Sequence, residues 1–287
     1  MSMKTLIRTA LIDLTATLMN SNSPVPRLSY PWLNRAAWRI VQTSELAGRR
    51  PQYVWGMLQS AALAKTLGRK GMVAIELGVA GGRGLISMEA AAYEISRLID
   101  LPIEVVGFDT GKGLPRSEDL RDLPNIFGEG DYAMDFEALR KRLQLASLVI
   151  GPIRDTVPEF LRRLALPIGF ISCDVDLYTS TVEAFPLFET LPSLLLPRAY
   201  MYFDDIIGLT FSDWNGERLA IREFNERHPT RKIGKIHGLR FDLPWPLSTA
   251  KWSEMMFILH SLDHPDYGRK DHLIPEGVAP LERTGAR

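Results

Sequence analysis

"MVAIELGVAGGRG", residues 72–84, begins as a run of apolar residues and ends in glycines, and "IEVVGFDTGKGLP", residues 103–115, does so again. Between them lies "GRGLISMEAAAYEISRLI", residues 82–99, whose apolar positions recur with helical spacing. The order strand, glycine turn, helix, strand ending in Asp109 is that of a sheet whose strands run parallel and are joined by helices. The same alternation continues down the chain. "SLVIG" (147–151), "IGFISCD" (168–174) and "AYMYFD" (199–204) read as strands, with "RKIGKIH" (231–237) and "EMMFILHSL" (254–262) as the last two. "DFEALRKRLQ" (135–144), "RDTVPEFLRRL" (154–164), "TVEAFPLFETLPSLL" (181–195) and "NGERLAIREFNER" (215–227) read as the intervening helices. Asp155 is expected to cap the second of these, and Ser180 with Glu183 to form a capping box on the third. Strands that are apolar throughout are buried on both faces, so the fold class is α/β, a mainly parallel sheet with helices on each side.

In such sheets ligands bind beyond the carboxyl ends of the strands. Gly78, Asp109, Asp174, Asp204 and Asp205 all fall at those ends. Glu76, Gly78 and Gly82 lie in a glycine turn that departs from the G-x-G-x-x-G dinucleotide spacing, because Leu77 and Ala80 break it; no Gly-Lys-Ser/Thr phosphate loop is present either. Asp109 is placed to accept hydrogen bonds from a ribose diol.

"ISCDVDLYTST" (171–181) and "AYMYFDDI" (199–206) bring four aspartates to two strand ends. Two carboxylates ~4 Å apart repel by roughly 4 kcal/mol at an effective dielectric near 20. Such a set points to a bound cation, to a shared proton, or to groups that do not meet in space. If the strand continued past Asp174, Asp174 and Asp176 would share a face, since alternate residues do.

"IELGVAGG", "GFDTGKGLP", "CDVDLYTST" and "FDD" together resemble S-adenosylmethionine-dependent class I methyltransferases of the macrocin O-methyltransferase type, which modify hydroxyl groups on antibiotics and sugars. The resemblance covers roughly residues 70–230. It implies a Rossmann-like sheet of seven strands, the last antiparallel, and S-adenosyl-L-methionine as cofactor. It implies that Glu76, Gly78, Gly82, Asp109 and Thr110 bind that cofactor, that Asp174, Asp204 and Asp205 hold Mg2+, and that Asp176 is the catalytic base. The acceptor would be a hydroxyl of a small molecule or glycan. The sequence departs from the family at Gly82-Arg83-Gly84, at Ile153 where relatives carry tryptophan, and in "IIGLTFSDW" after the aspartate pair. His237 is a rival base near a strand end.

The chemistry would need this set. An alcohol of pKa near ~15 is a poor nucleophile, and an ordinary aspartate of pKa about 3.9 is too weak to deprotonate it alone. A hard divalent cation lowers the alcohol's pKa and orients it. A magnesium-dependent phosphohydrolase of the haloacid dehalogenase type also uses a strand ending in D-x-D, but no lysine occurs between Asp174 and Lys232, and that reading leaves the glycine turn unexplained. A non-catalytic S-adenosylmethionine-binding protein is the third reading.

The rest of the sequence sets bounds. Of 287 residues, 34 are Lys or Arg and 34 are Asp or Glu, so the zero net charge argues against a nucleic-acid partner. The single cysteine, Cys173, follows an apolar run and is expected to be a buried, inert thiol in a reducing, cytoplasmic compartment. The N-terminal "MSMKTLIRTALIDLTATLMN" is interrupted by Arg8 and Asp13, and its Leu6, Leu11, Leu14 and Leu18 suit an amphipathic helix rather than a membrane span. Residues 1–68 are expected to form a helical extension or lid, 69–262 the S-adenosylmethionine-binding domain and 263–287 a loosely ordered tail. Trp32, Trp38 and Trp55 are expected to pack helices. A homo-oligomer is compatible with all of this.

Overall fold

The computed structural model describes residues 30–208 and 211–269. The expected helix over the first twenty residues and most of the tail lie outside them. Three helices come first: α1 (Tyr30–Thr43), α2 (Glu45–Gly48) and α3 (Pro51–Thr66). The alternating part follows with β1 (Met72–Leu77), α4 (Arg83–Ile99), β2 (Ile103–Asp109), α5 (Phe136–Arg140), β3 (Ser147–Ile150), α6 (Ile153–Arg163), β4 (Ile168–Cys173), α7 (Tyr178–Glu183), α8 (Phe185–Glu189), β5 (Leu195–Phe203), α9 (Gly216–Arg227), β6 (Arg231–Lys235), α10 (Leu239–Asp242) and β7 (Met256–Ser261).

The strands form one seven-stranded sheet in the order β3-β2-β1-β4-β5-β7-β6. β7 is antiparallel to both its neighbours, and the other pairings are parallel. All six residues of β1 and of β4 are buried, whereas β3 at the sheet edge is half-exposed. Continuous apolar runs therefore occupy the centre, as two covered faces require. The chain winds from β1 outward to β3 and then returns to place β4 beside β1. That reversal opens a crevice at the carboxyl ends of β1 and β4.

α3 is buried along most of its length and packs on β4 and β5. Tyr53, Trp55, Met57 and Leu58 are at most 2% exposed. Side chains of this size stabilise by about 1.5–3 kcal/mol each on full burial, so this helix is part of the sheet's core. Trp55 donates its indole N–H to Asn34 on α1 at 2.9 Å and meets Tyr200 edge-on, the helix-packing role expected for it. After β7, Asp266 pairs with Arg69 at 2.6 Å and His264 is buried, so the stretch just past residue 262 is anchored.

Three local expectations are corrected. α6 starts at Ile153 with Pro152 at its N-cap, so Asp155 sits inside the first turn, three residues beyond the cap; proline, with its fixed φ and no N–H, sits readily where a helix opens. α7 starts at Tyr178, so Ser180 and Glu183 lie within a helix and form no capping box; Pro186, which lacks an N–H, separates α7 from α8. The strand before the D-x-D pair ends at Cys173, and Asp176 has φ +59, so the shared-face argument for Asp174 and Asp176 fails.

Candidate active site

One cavity of about 710 Å³ lies over the carboxyl ends of β1, β2, β4 and β5. Glu76, Gly78, Gly82, Asp109, Thr110, Asp174, Asp176, Asp204 and Asp205 all line it, and His237 does not. The route is different from the one expected for Asp176. A turn in the left-handed region, rather than a continued strand, carries its carboxylate back to the cavity.

The glycine-turn half is built mainly from backbone. Gly78 has φ +80, and a Cβ there would stand 1.7 Å from the Asp174 carbonyl oxygen. Only glycine allows β1 and β4 to approach this closely at the crevice. A Cβ at Gly84 would fall 1.9 Å from Glu76 Oε1, so this glycine makes room for a carboxylate beneath the first turn of α4. Asp109 Oδ2 accepts the Val79 and Ala80 N–H groups at 2.9 and 2.8 Å, and its Oδ1 accepts the Gly111 N–H at 2.6 Å. A carboxylate has about four lone-pair sites. Asp109 therefore spends most of its capacity holding the turn, which sequence reasoning had assigned to a diol. Thr110 closes the next turn, donating to the Gly113 carbonyl at 2.7 Å and accepting from the Lys112 N–H.

Glu76 lies below this turn and is buried. Tyr53 donates to its Oε1 at 2.7 Å, and Ser172 donates to the Tyr53 oxygen at 2.9 Å. Glu76 Oε2 is buried with no hydrogen-bond partner. Burial, partly offset by the Tyr53 hydrogen bond, pushes its pKa up to about 8.

The carboxylate half is crowded. Asp174 is pushed up to about 7, first by burial and then by Asp204 and Asp205. Asp176 is likewise raised to about 7, by burial and by Asp174 and Asp204, and Asp205 to about 8, by burial and by Asp176 and Asp204. Tyr202 donates to Asp204 Oδ1, and the Asp176 N–H points at the Asp205 carboxylate. Asp205 Oδ2 is buried and unpartnered. Arg50, at the start of α3, is the cation that the field of Asp174, Glu76 and Asp204 acts on, and it lines the same cavity. The four aspartates thus do meet. They are hard oxygen donors with little countercharge, which is the chemistry a divalent cation takes. Among the described residues, however, no group of three His, Cys, Asp or Glu side chains is arranged to hold a metal ion as it stands.

Several lining or supporting residues carry no motif of their own. Asp122, 1% exposed, accepts the Thr179 N–H at 2.8 Å and the Thr179 hydroxyl at 2.7 Å, and also the Ser117 hydroxyl. It clasps the long β2–α5 loop to the first turn of α7. Tyr132, from that loop, has φ +65, and its phenol lies in the field of Asp176 and Asp205. With Ala80 (φ +44) and Asp176, it makes three non-glycine residues with positive φ at one cavity, the pattern of a site held by its surroundings. Glu217 is fully buried behind Asp205. Its single signal in the sequence is an acid in the first turn of a helix that follows the aspartate pair. Cys173 is buried and its thiol is pushed well up by burial and Glu217, in line with an inert role.

No family model matches the chain, and no curated protein matches it. Among solved structures, it is similar to "the O-methyltransferase NovP" at 16% identity, over 72% of this chain and 78% of that one, with a TM-score of 0.49. It is also similar to CalS11, a calicheamicin methyltransferase, at 19% identity over 79% and 91% of the two chains, TM-score 0.44. An apo structure of CalS11, described as a TDP-rhamnose 3'-O-methyltransferase, matches at 20% identity over 83% and 88%, TM-score 0.38. Among the described residues no helix is long and apolar enough to cross a membrane.

Proposed function

We propose that this protein is an S-adenosylmethionine-dependent O-methyltransferase acting on a hydroxyl of a sugar or glycosylated natural product. The observation that carries the reading is the juxtaposition of two halves in one cavity: a glycine turn braced by Asp109 beside β1, and four convergent aspartates beside β4 and β5. The sequence motifs that resemble the macrocin-type enzymes fall on these two halves and nowhere else. A haloacid dehalogenase chemistry has no use for the glycine half of this cavity.

When bound, S-adenosylmethionine would supply a methyl group carried on a sulfonium centre, and the acceptor hydroxyl would have to give up its proton to the protein. Gly78 and Gly82 let the backbone approach the donor, with Asp109 holding the turn and Thr110 closing its neighbour. Glu76, with Oε1 fixed by Tyr53 and Oε2 unpartnered, would bind the donor. Asp176 takes the acceptor proton. Its raised pKa makes it a stronger base than an ordinary aspartate and still leaves much of it ionised near neutral pH. Asp174, Asp204 and Asp205 are the residues that would hold Mg2+, which when bound lowers the pKa of a coordinated hydroxyl. The crowding of these carboxylates and the orphaned Asp205 Oδ2 support that assignment.

Calorimetry with S-adenosylhomocysteine tests the donor half directly, and saturable one-site binding is expected. Methyl transfer to a panel of glycosylated natural products, with chelator and then with magnesium, tests the other half. Loss with chelator and recovery with magnesium is expected; full activity in excess chelator would remove the metal and leave the donor site standing.

A further inference from the structure

Glu217 is an acid that neither half of the mechanism uses. It occupies the first turn of α9 and is 0% exposed. Its Oε2 accepts the backbone N–H of Asp205 at 3.0 Å, while its Oε1 is buried with no hydrogen-bond partner. The thiol of Cys173, the last residue of β4, lies against it. A buried carboxyl is costly, and an apolar side chain of similar size would fill this place with less penalty. What the acid supplies is an acceptor at one point. The turn after β5 is held at three places: the Asp204 N–H reaches the Cys173 carbonyl at 3.0 Å, the Asp205 N–H reaches Glu217, and Arg218 reaches the Ile206 carbonyl at 3.3 Å. Two of the three anchors are consecutive residues of the same helical turn. The two side chains that this turn presents to the cavity are those of Asp204 and Asp205.

We infer that Glu217 is a positioning residue: by accepting the Asp205 N–H it fixes the turn that aims Asp204 and Asp205 into the cavity. It touches neither donor nor acceptor. Its importance for methyl transfer rests on the function proposed above; its grip on the turn does not. The role is geometric, so side-chain length must matter more than acidity. Glutamine keeps the length and an acceptor oxygen, aspartate keeps the acid and withdraws it by one methylene, and leucine removes the acceptor.

The test is amide hydrogen exchange at Asp205, read by nuclear magnetic resonance in the full chain, for Glu217→Gln, Glu217→Asp and Glu217→Leu. Slow exchange is expected in the wild type and in Glu217→Gln, with exchange faster by about tenfold or more in Glu217→Asp and Glu217→Leu. S-adenosylhomocysteine affinity, measured alongside, is expected to stay within about twofold, because the glycine half does not lean on this bond. In methyl transfer, kcat is expected to fall about tenfold in Glu217→Asp and to be restored in Glu217→Gln, with KM for the methyl donor unchanged. Glu217→Asp behaving as wild type while Glu217→Gln fails would overturn the inference, since acidity and not reach would then be the requirement. Unchanged Asp205 exchange in Glu217→Leu, or fast exchange with normal kcat in Glu217→Asp, would overturn it too. Should Glu217→Leu fail to fold, the other two variants decide. Should the wild type bind no S-adenosylhomocysteine, the proposed function falls and the exchange pattern still judges Glu217.

Discussion

The two halves of the cavity are built in opposite ways. In the glycine half, polar groups other than the buried Glu76 Oε2 are largely satisfied by the protein itself: Asp109 takes three backbone N–H groups, Thr110 closes its own turn, and the tight approach at Gly78 needs no side chain. In the carboxylate half, Asp174, Asp176 and Asp205 are held against one another, each with its pKa raised, and Asp205 Oδ2 has no partner. One half is stable as a shape. The other keeps unfavourable charge in place because the β4 and β5 ends, the Asp176 turn and Glu217 leave it no other position. Binding sites need the first property, and sites that move protons or gather cations need the second.

That contrast can be broken most sharply at Asp176. Asparagine keeps its shape and one acceptor oxygen but takes no proton at neutral pH. Asp176→Asn is expected to lose roughly 10²–10⁴ in kcat while S-adenosylhomocysteine affinity in calorimetry stays unchanged. A rate restored by high magnesium would make Asp176 a ligand and not the base.

Asp109→Ala probes the other half. Removing the brace frees the Val79, Ala80 and Gly111 N–H groups together, and S-adenosylhomocysteine affinity is expected to fall about 10–100-fold, the scale of one to two charge-assisted hydrogen bonds. The carboxylate half should be untouched, so Asp176 should still titrate as before. Undiminished affinity would mean that the turn keeps its shape without Asp109.

The pH dependence follows from the raised pKa of Asp176. With chelator present its carboxyl is expected to titrate near pH 7 by nuclear magnetic resonance, and magnesium, which would offset the charge of Asp174 and Asp204, is expected to move that midpoint down. A midpoint near 4 in chelator would show that Asp176 is an unperturbed carboxylate.

The smallest effect is on stability. The folded state holds the Asp205 proton up to about pH 8, whereas an unfolded aspartate releases it near pH 3.8. Stability therefore falls as pH rises across the window from about 4 to about 8. In the presence of chelator, Asp205→Asn is expected to raise the unfolding midpoint at pH 8 by about 2–4 °C, roughly 1 kcal/mol for a chain of this size, and to give no gain at pH 4. A gain equal at both pH values would trace to packing and not to charge crowding.

The strands and the position of the cavity were legible because they follow from local pattern. Apolar runs in β1, β4 and β5 mark buried strands, helical spacing marks the crossovers, and a parallel sheet gathers strand ends on one side. The four aspartates could thus be placed in one region before any contact was known. Partners were a different matter. Tyr53 reaches Ser172 across 119 residues of sequence, Asp122 reaches Thr179 across 57, and Tyr53 reaches Glu76 across 23. No spacing rule registers such pairs. The turn at Asp176 was misread because period-two alternation describes a strand only while its ladder continues, and β4 stops at Cys173.

The sequence by itself determined the α/β class, the glycine turn with Asp109 after it, and the presence of acids at the ends of β4 and β5, since periodicity and residue type act over a few neighbours. Tertiary structure alone decided what those groups do to each other. It spent Asp109 on backbone N–H groups, brought Asp176 back through a left-handed turn, and buried Glu217 under Asp205. The physical reason is that the energy of a carboxylate depends on what lies within a few ångströms of it, through desolvation, nearby charge and hydrogen bonds, and those neighbours come from distant parts of the chain.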